Sequence, residues 1–367
     1  MILYVLCILV MHFASLLSMV RQDVLSYNSL LGEYVASHQK ISEIPHSFGE
    51  MHWLHWDEKH RQLLAGTTGA RLSWKLQEDG SYTEDVKDNA SVQVEEGACD
   101  PESNFVYYAA SEPCAGIYEW NTETNNPKQI LDMSSLWWPE ALAYNAAKDL
   151  LYVAEGNQIK KRPLKTSDLI PYRMPCEVTG LCCNKKESVL YVALMDGNIQ
   201  VRDCDDISQC LSETGPQTSS SYQLRLDSRA HILYANQPKK IMRYDVTDRM
   251  IKSIQNATHE IPTECNYSSY ACDTFSKLLC VSCASEGDFE GVRFVYADNR
   301  ALQKEIVHES DHRISAITCD SNRSIFYAGL YGKIWVLKAQ KPFTDVLARY
   351  NASAYLIFKH FLMPIVS

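Results

Sequence analysis

The thirteen cysteines of this 367-residue chain are the first residues whose chemistry can be read from number and spacing. Cys7 lies in an apolar N-terminal segment, and twelve remain without it, an even number typical of disulfide pairing outside the cytosol. Cys204 and Cys210 are close in sequence, and we expect a local bridge. The connectivity of the others stays open, and the disulfide candidates are Cys204, Cys210, Cys265, Cys272, Cys280 and Cys283.

Metal binding and catalysis receive little support from the motifs. Cys280 and Cys283 form one half of a zinc knuckle, but no second half follows at the usual spacing, which favours disulfides. His52 and His55 fall in a predicted strand, where residues three apart point to opposite faces and cannot share a metal. The sequence contains no glycine-rich nucleotide loop, nucleophile elbow or zinc-protease motif.

Several signals indicate the secretory pathway. Residues 1–20 are apolar and precede the first charged residue, which is typical of a signal peptide; the alternative is an uncleaved membrane anchor. Five Asn-x-Ser/Thr sequons predict glycosylation. They stand at Asn89, Asn256, Asn266, Asn322 and Asn351. The apolar C-terminal tail, residues 351–367, is interrupted by Lys359 and His360 and is expected to pack on the fold or lie loose.

An internal repeat sets the architecture. Seven times, an apolar stretch ends in Asp or Asn, and a large residue, usually Tyr, follows seven positions later inside a second apolar run. A small or compact residue stands two positions further on. The seven anchors are Asp57, Asp100, Asn145, Asn184, Asp227, Asp273 and Asp320, at spacings of 43, 45, 39, 43, 46 and 47.

Each copy has the composition of short strands. Runs such as Leu150 to Ala154 are β-branched, aromatic or aliphatic and are flanked by turn residues. The Asp or Asn anchor suits a turn, because its side chain can accept hydrogen bonds from the backbone two residues on. A repeat of about 44 residues that contains four strands is typical of a propeller blade. Fourth strands are expected at residues 91–94 and 343–347, among others.

The sequence therefore predicts an all-β fold, a seven-bladed β-propeller of four-stranded antiparallel blades over residues 50–350, with six blades as the alternative. Residues 21–49 are expected to help close the ring. An apolar fraction of 46% and a charged fraction of 22% exclude disorder as the main state. The net charge of −10 argues against a nucleic-acid partner.

The clearest copies, LLYVAEGNQIKKRPL and VLYVALMDGNIQVRD, resemble blades of NHL-type and YWTD-type propellers, and the resemblance extends over residues 51–337. It implies a propeller of extracellular kind, and many such domains bind proteins. Some six-bladed relatives are calcium-dependent hydrolases with ligands in the central channel. Glu140, before a predicted inner strand, and Asn145, at its end, are the candidates for such a calcium site, but they supply far fewer oxygens than calcium needs.

Aromatic residues on the connections between blades are candidates for a protein-binding surface. Trp137 and Trp138 precede the third blade, and Tyr267 and Tyr270 precede the sixth; the alternative is that the rings pack between blades. The resulting hypothesis is a secreted or lumenal propeller that binds a protein partner and needs no cofactor. A calcium-dependent hydrolase and a membrane-tethered receptor-like propeller are the alternatives.

Overall fold

Strands make up most of the computed structural model, and two short helical stretches complete it. The structure describes residues 27–88, 94–99, 103–111, 115–124, 126–132, 139–166, 168–254, 260–262, 269–284, 290–308, 314–340, 343–345 and 347–349. In this part of the chain the strands form seven antiparallel sheets, each built mainly from consecutive strands. This arrangement is the predicted seven-bladed β-propeller, and the seven-blade reading is confirmed over its six-blade alternative.

Each blade begins with an inner strand and proceeds outward. Blades 1 and 2 consist of β2 (Met51–Asp57), β3 (Gln62–Thr67), β4 (Ala70–Leu76) and β5 (Tyr82–Asp88), then β6 (Val94–Cys99), β7 (Phe105–Ala110), β8 (Gly116–Asn121) and β9 (Asn126–Asp132). Blades 3 and 4 consist of β10 (Ala141–Asn145), β11 (Leu150–Glu155), β12 (Gln158–Pro163) and β13 (Ile170–Arg173), then β14 (Val178–Asn184), β15 (Val189–Leu194), β16 (Ile199–Asp203) and β17 (Cys210–Glu213).

The remaining blades follow the same order except at the last position. Blade 5 consists of β18 (Gln223–Asp227), β19 (Ile232–Gln237), β20 (Lys240–Asp245) and β21 (Lys252–Ser253), and β22 (Glu260–Pro262) also pairs with β20. Blade 6 consists of β23 (Tyr270–Asp273), β24 (Leu278–Ala284), β25 (Glu290–Tyr296) and β26 (Asn299–His308). Blade 7 consists of β27 (Ala316–Asp320), β28 (Ile325–Leu330), β29 (Lys333–Ala339) and β1 (His38–Pro45).

The ring is held together by apolar contacts between neighbouring blades. Seven clusters of buried side chains lie between consecutive blades. One of them joins Trp56 of blade 1 to Tyr327 of blade 7, whose rings stack 5.4 Å apart. Because both faces of a blade are covered, a middle strand such as β15 is buried at every position.

The N-terminal strand closes the ring. β1 pairs antiparallel with β29 and supplies the outermost strand of blade 7, so one blade combines both ends of the propeller sequence. A helix over residues 27–36 precedes β1 and buries Leu31, Tyr34 and Val35 between blades 6 and 7. The fourth strand expected at residues 343–347 is therefore wrong: 343–345 are helical, and β1 occupies that place.

The turn after the inner strand shares a left-handed residue in six of the blades. Asp227 Oδ1 accepts hydrogen bonds from the backbone N–H groups of Arg229 and Ala230 at 3.0 and 3.1 Å, and His231 then adopts a left-handed conformation with φ of 53°. The expected turn role of the anchor is thus confirmed here. The residue four after the anchor is left-handed in six blades, at Arg61, Asp149, Ser188, His231, Lys277 and Ser324.

One further sequence expectation was tested by the fold. The fourth strand expected at residues 91–94 is wrong, because β5 (Tyr82–Asp88) forms the outer strand of blade 1 and residue 94 already begins the inner strand of blade 2. No helix among the described residues is long and apolar enough to span a bilayer. Residues 1–26 and 350–367, which include the predicted signal peptide and the C-terminal tail, lie outside the described residues.

Candidate functional site

One end of the ring carries the residues that enter each inner strand, together with the turns between second and third strands. We call it the entry end. Backbone hydrogen bonds connect the two features within a blade: Met195 N–H donates to Glu177 O at 2.9 Å, and Tyr222 N–H donates to Asn236 O at 3.0 Å. The opposite end carries the anchor turns and the turns between third and fourth strands.

Exposed apolar side chains lie at both ends of the ring, and three of them are at the entry end. Met195, Tyr222 and Tyr331 lie there, in blades 4, 5 and 7, and each is an exposed large hydrophobic residue. The connections that contain Trp137, Trp138 and Tyr267 also lead into inner strands, although these three residues fall outside the described residues. Aromatic and methionine side chains are enriched where proteins bind one another.

Tyr270 does not belong to this surface. It begins β23 with 0% of its side chain exposed, and its hydroxyl donates a hydrogen bond to Tyr234 O at 2.9 Å. The alternative stated for these rings, packing between blades, therefore holds for Tyr270: the inner strand begins at this residue, and its ring fills the space between blades 5 and 6.

The inner strands surround a central channel. It has a volume of about 620 Å³, and a second compartment of about 210 Å³ adjoins it near the start of the inner strands. Glu96 of blade 2 and Gln223 and Arg225 of blade 5 line both compartments. Trp53 and Leu54 of blade 1 provide an apolar wall shared by the two.

The polar groups of the channel are sparsely hydrogen-bonded. Burial raises the pKa of Glu96 from 4.5 to about 7, and this is opposed by the positive charge of Arg225 and the Gly97 N–H. Gln223 Oε1 is buried without a hydrogen-bond partner. Within the described residues the guanidinium of Arg225 forms no hydrogen bond or ion pair. These three groups therefore retain hydrogen-bonding capacity that faces the channel.

Sequence reasoning missed these channel residues, although the repeat contained a signal for them. At the repeat position four residues before the anchor, only Glu96 is an Asp, Glu, Lys or Arg. At the position two residues before the anchor, only Arg225 is one. The residues equivalent to Glu96 are Trp53, Ala141, Gly180, Gln223, Ser269 and Ala316, and those equivalent to Arg225 are His55, Ala98, Ala143, Cys182, Ala271 and Thr318. A charge at a position that is otherwise neutral or aromatic indicates a role other than packing.

Glu140 and Asn145 are not brought together as calcium ligands. Glu140 precedes β10 at the entry end, whereas Asn145 ends the same strand at the opposite end, fully buried, and its Nδ2 donates to Cys204 Sγ at 3.5 Å. Glu140 instead lies beside Glu177; its pKa is raised to about 7, first by desolvation and then by the Glu177 charge. The described residues contain no group of three or more His, Cys, Asp or Glu that could hold a metal.

No disulfide joins two cysteines whose side chains are both described. The expected bridge between Cys204 and Cys210 is absent, because Cys204 is buried between blades 3 and 4 whereas Cys210 is exposed on β17. The Sγ atoms of Cys183 and Cys204 lie 3.9 Å apart. Cys272 and Cys280 cannot pair: they lie on adjacent strands but face different blade interfaces. Cys265 and the Cys283 side chain lie outside the described residues.

The remaining predicted residues are the histidines and the sequons. His52 Nε2 lies 2.8 Å from Thr68 Oγ1, and the His55 ring stacks on Trp53. Asn322 is exposed in the anchor turn of blade 7, where a glycan could be accommodated. The other four sequons, at Asn89, Asn256, Asn266 and Asn351, lie outside the described residues.

These features define the class of protein: a seven-bladed β-propeller closed by its N-terminal strand, with a partly polar channel. No protein-family model matches the sequence, and no curated protein matches it significantly. The fold is consistent with the resemblance to NHL-type and YWTD-type blades, but no family match confirms that type of propeller.

Proposed function

We propose that this protein is a secreted or lumenal β-propeller that binds a protein partner through its entry end. The observation that carries the proposal is the placement of Met195, Tyr222 and Tyr331 as exposed apolar side chains at the entry end. A partner that covers them would remove apolar surface from water, which is the main driving force of protein association.

The secretory route is supported by features of the sequence. The apolar segment at residues 1–20 and the sequons each favour it. Exposure of Asn322 agrees with glycosylation at that site. Sequencing of the mature N-terminus tests whether the segment is cleaved, and a mass shift on deglycosylation tests the sequons. An uncleaved N-terminus in the membrane fraction would support the tethered alternative instead.

A matched pair of variants tests the binding surface. Met195 at the entry end and Met250 at the opposite end are similarly exposed, at 47% and 41%. Partners captured from the secretory fraction by the full-length protein should be lost with Met195→Glu and kept with Met250→Glu. Equal capture by both variants, with both proteins folded by circular dichroism, would contradict the proposal.

A further inference from the structure

The inner face of the ring carries two opposite charges from distant blades. Glu96 lies in β6 and Arg225 in β18, and both line the same cavity, where the equivalent residues of the other blades carry no carboxylate, lysine or arginine. No ion pair joins them within the 4.0 Å limit among the described residues. Space therefore remains between the two groups.

The arginine has the geometry to bind an anion. A guanidinium presents five N–H donors in a planar arrangement that matches a carboxylate bidentately. Arg225 forms no hydrogen bond within the described part of the chain, and two positions earlier on the same strand Gln223 has an unused oxygen. Arg225 is partly buried, which weakens the hydration of its charge, and a bound anion would offset that cost.

The rest of the lining is mixed: an apolar wall stands beside polar side chains such as His52, Asn236, Ser269 and Ser315. Trp53 and Leu54 of blade 1 and Ile317 of blade 7 line both compartments with Arg225. The smaller compartment, of about 210 Å³, is large enough for a short aliphatic chain and too small for a folded partner. The apolar wall beside Arg225 therefore favours a ligand in which a charged end is followed by a short apolar part.

We propose that the central channel binds an aliphatic monocarboxylate group, with its carboxylate on Arg225 and its chain against Trp53 and Leu54. The group could come from a free carboxylic acid or from the C-terminal residue of a peptide. This site adjoins the entry-end surface at Tyr222, which lines the smaller compartment, but it neither requires nor excludes the proposed protein partner.

Glu96 makes the site sensitive to protonation. In its neutral form the carboxyl can donate a hydrogen bond to the ligand, and in its ionised form it repels the carboxylate. Because its pKa is about 7, binding should weaken as pH rises from about 6 to about 8. His52, Tyr222 and Arg225 are the other ionisable groups that line the smaller compartment. Glu96→Gln isolates the contribution of Glu96 from theirs.

Calorimetry with defined probes tests the proposal. Hexanoate and a tripeptide ending in leucine represent the two sources, and hexanamide and the peptide amide are their uncharged controls. With the full-length protein at about pH 6, at least one acid should bind, and its amide should bind at least about tenfold more weakly. Which acid binds identifies the source of the carboxylate.

Variants assign the binding to the channel. Arg225→Gln should weaken acid binding by about tenfold or more, and Arg225→Lys should weaken it less. Arg173→Gln makes the same change on the exposed outer strand of blade 3 and should have no effect. Glu96→Gln should retain binding at about pH 8, where the unaltered protein binds more weakly.

Three results would overturn the proposal. They are the absence of binding by both acids at about 10 mM, equal affinity for acid and amide, and unchanged affinity in folded Arg225→Gln and Arg225→Lys. Loss of partner capture in Met195→Glu with carboxylate binding intact would show that the two sites are distinct. Failure of the carboxylate proposal would then not contradict the proposed protein binding, and failure of the protein binding would not contradict the carboxylate site.

Discussion

Val94, the first residue of the inner strand of blade 2, packs directly on Gly66 in the second strand of blade 1. A Cβ added to Gly66 would collide with Cγ1 of Val94. Met51 packs on Gly329 in the same way, between blades 1 and 7. The two glycines occupy equivalent positions of the repeat, nine residues after the anchor, where the first residue of the following blade approaches the backbone.

The first prediction follows from this contact. Gly66→Ala should lower the free energy of unfolding by about 1–3 kcal/mol, because the branched Val94 side chain cannot easily move aside. Gly329→Ala should cost less, because the flexible Met51 can adopt another rotamer. Denaturant titration of both variants measures the difference. A larger loss in Gly329→Ala would contradict this account of the blade contact.

The second prediction concerns ring closure by β1. Ile44 is 5% exposed and pairs with Ile334, whereas Ile41 on the same strand is 50% exposed. Ile44→Ala should lower the free energy of unfolding by about 2–4 kcal/mol, and Ile41→Ala by less than about 0.5 kcal/mol. Thermal unfolding checks both. Similar melting temperatures for the two variants would mean that β1 contributes little to closure.

The third prediction concerns the anchor turns. Asp227→Ala leaves two backbone N–H groups of the turn without their acceptor and should cost about 1–3 kcal/mol. Asp227→Asn should cost less, since Asn184 accepts equivalent bonds from Lys186 and Glu187 in blade 4. Denaturation midpoints measure both changes, and equal losses would show that the negative charge is essential at this position.

The fourth prediction concerns pH. Burial raises the pKa of Glu96 from 4.5 to about 7, so the folded state holds this proton more tightly than the unfolded chain. The resulting stability is fully present below about pH 4.5 and is lost as pH rises through about 7. Glu96→Gln should therefore raise the free energy of unfolding at about pH 8 by about 1–3 kcal/mol. The same substitution should change the free energy of unfolding little at about pH 4. A gain of equal size at that pH would contradict the assignment.

The fifth prediction concerns thiol accessibility. Cys210 is exposed, whereas Cys204 and Cys280 are buried between blades. Iodoacetamide should label Cys210 in the native protein and the other two only after denaturation. Peptide mapping by mass spectrometry measures the labelling. Resistance of Cys210 to alkylation until a reductant is added would show that it is disulfide-bonded after all.

The sequence by itself determined the repeat, the number of blades and the anchor turns. These features depend on local patterns: β-branched and aromatic runs, and an Asp or Asn such as Asp227 whose side chain bonds the next residues of its own turn. Residues a few positions apart are sufficient to specify them. The burial of Tyr270 was not predictable in this way, because it depends on where the inner strand of blade 6 begins relative to blade 5.

The tertiary structure alone decided how the ring closes and what lines its channel. The pairing of β1 with β29 joins segments about 300 residues apart, and no local pattern encodes such a partner. Glu96 and Arg225 come from blades 2 and 5 and share one cavity only because the seven blades close around a common axis. Cys204 lies against Cys183 instead of Cys210 for the same reason: packing between blades, and not proximity in sequence, determines which side chains meet.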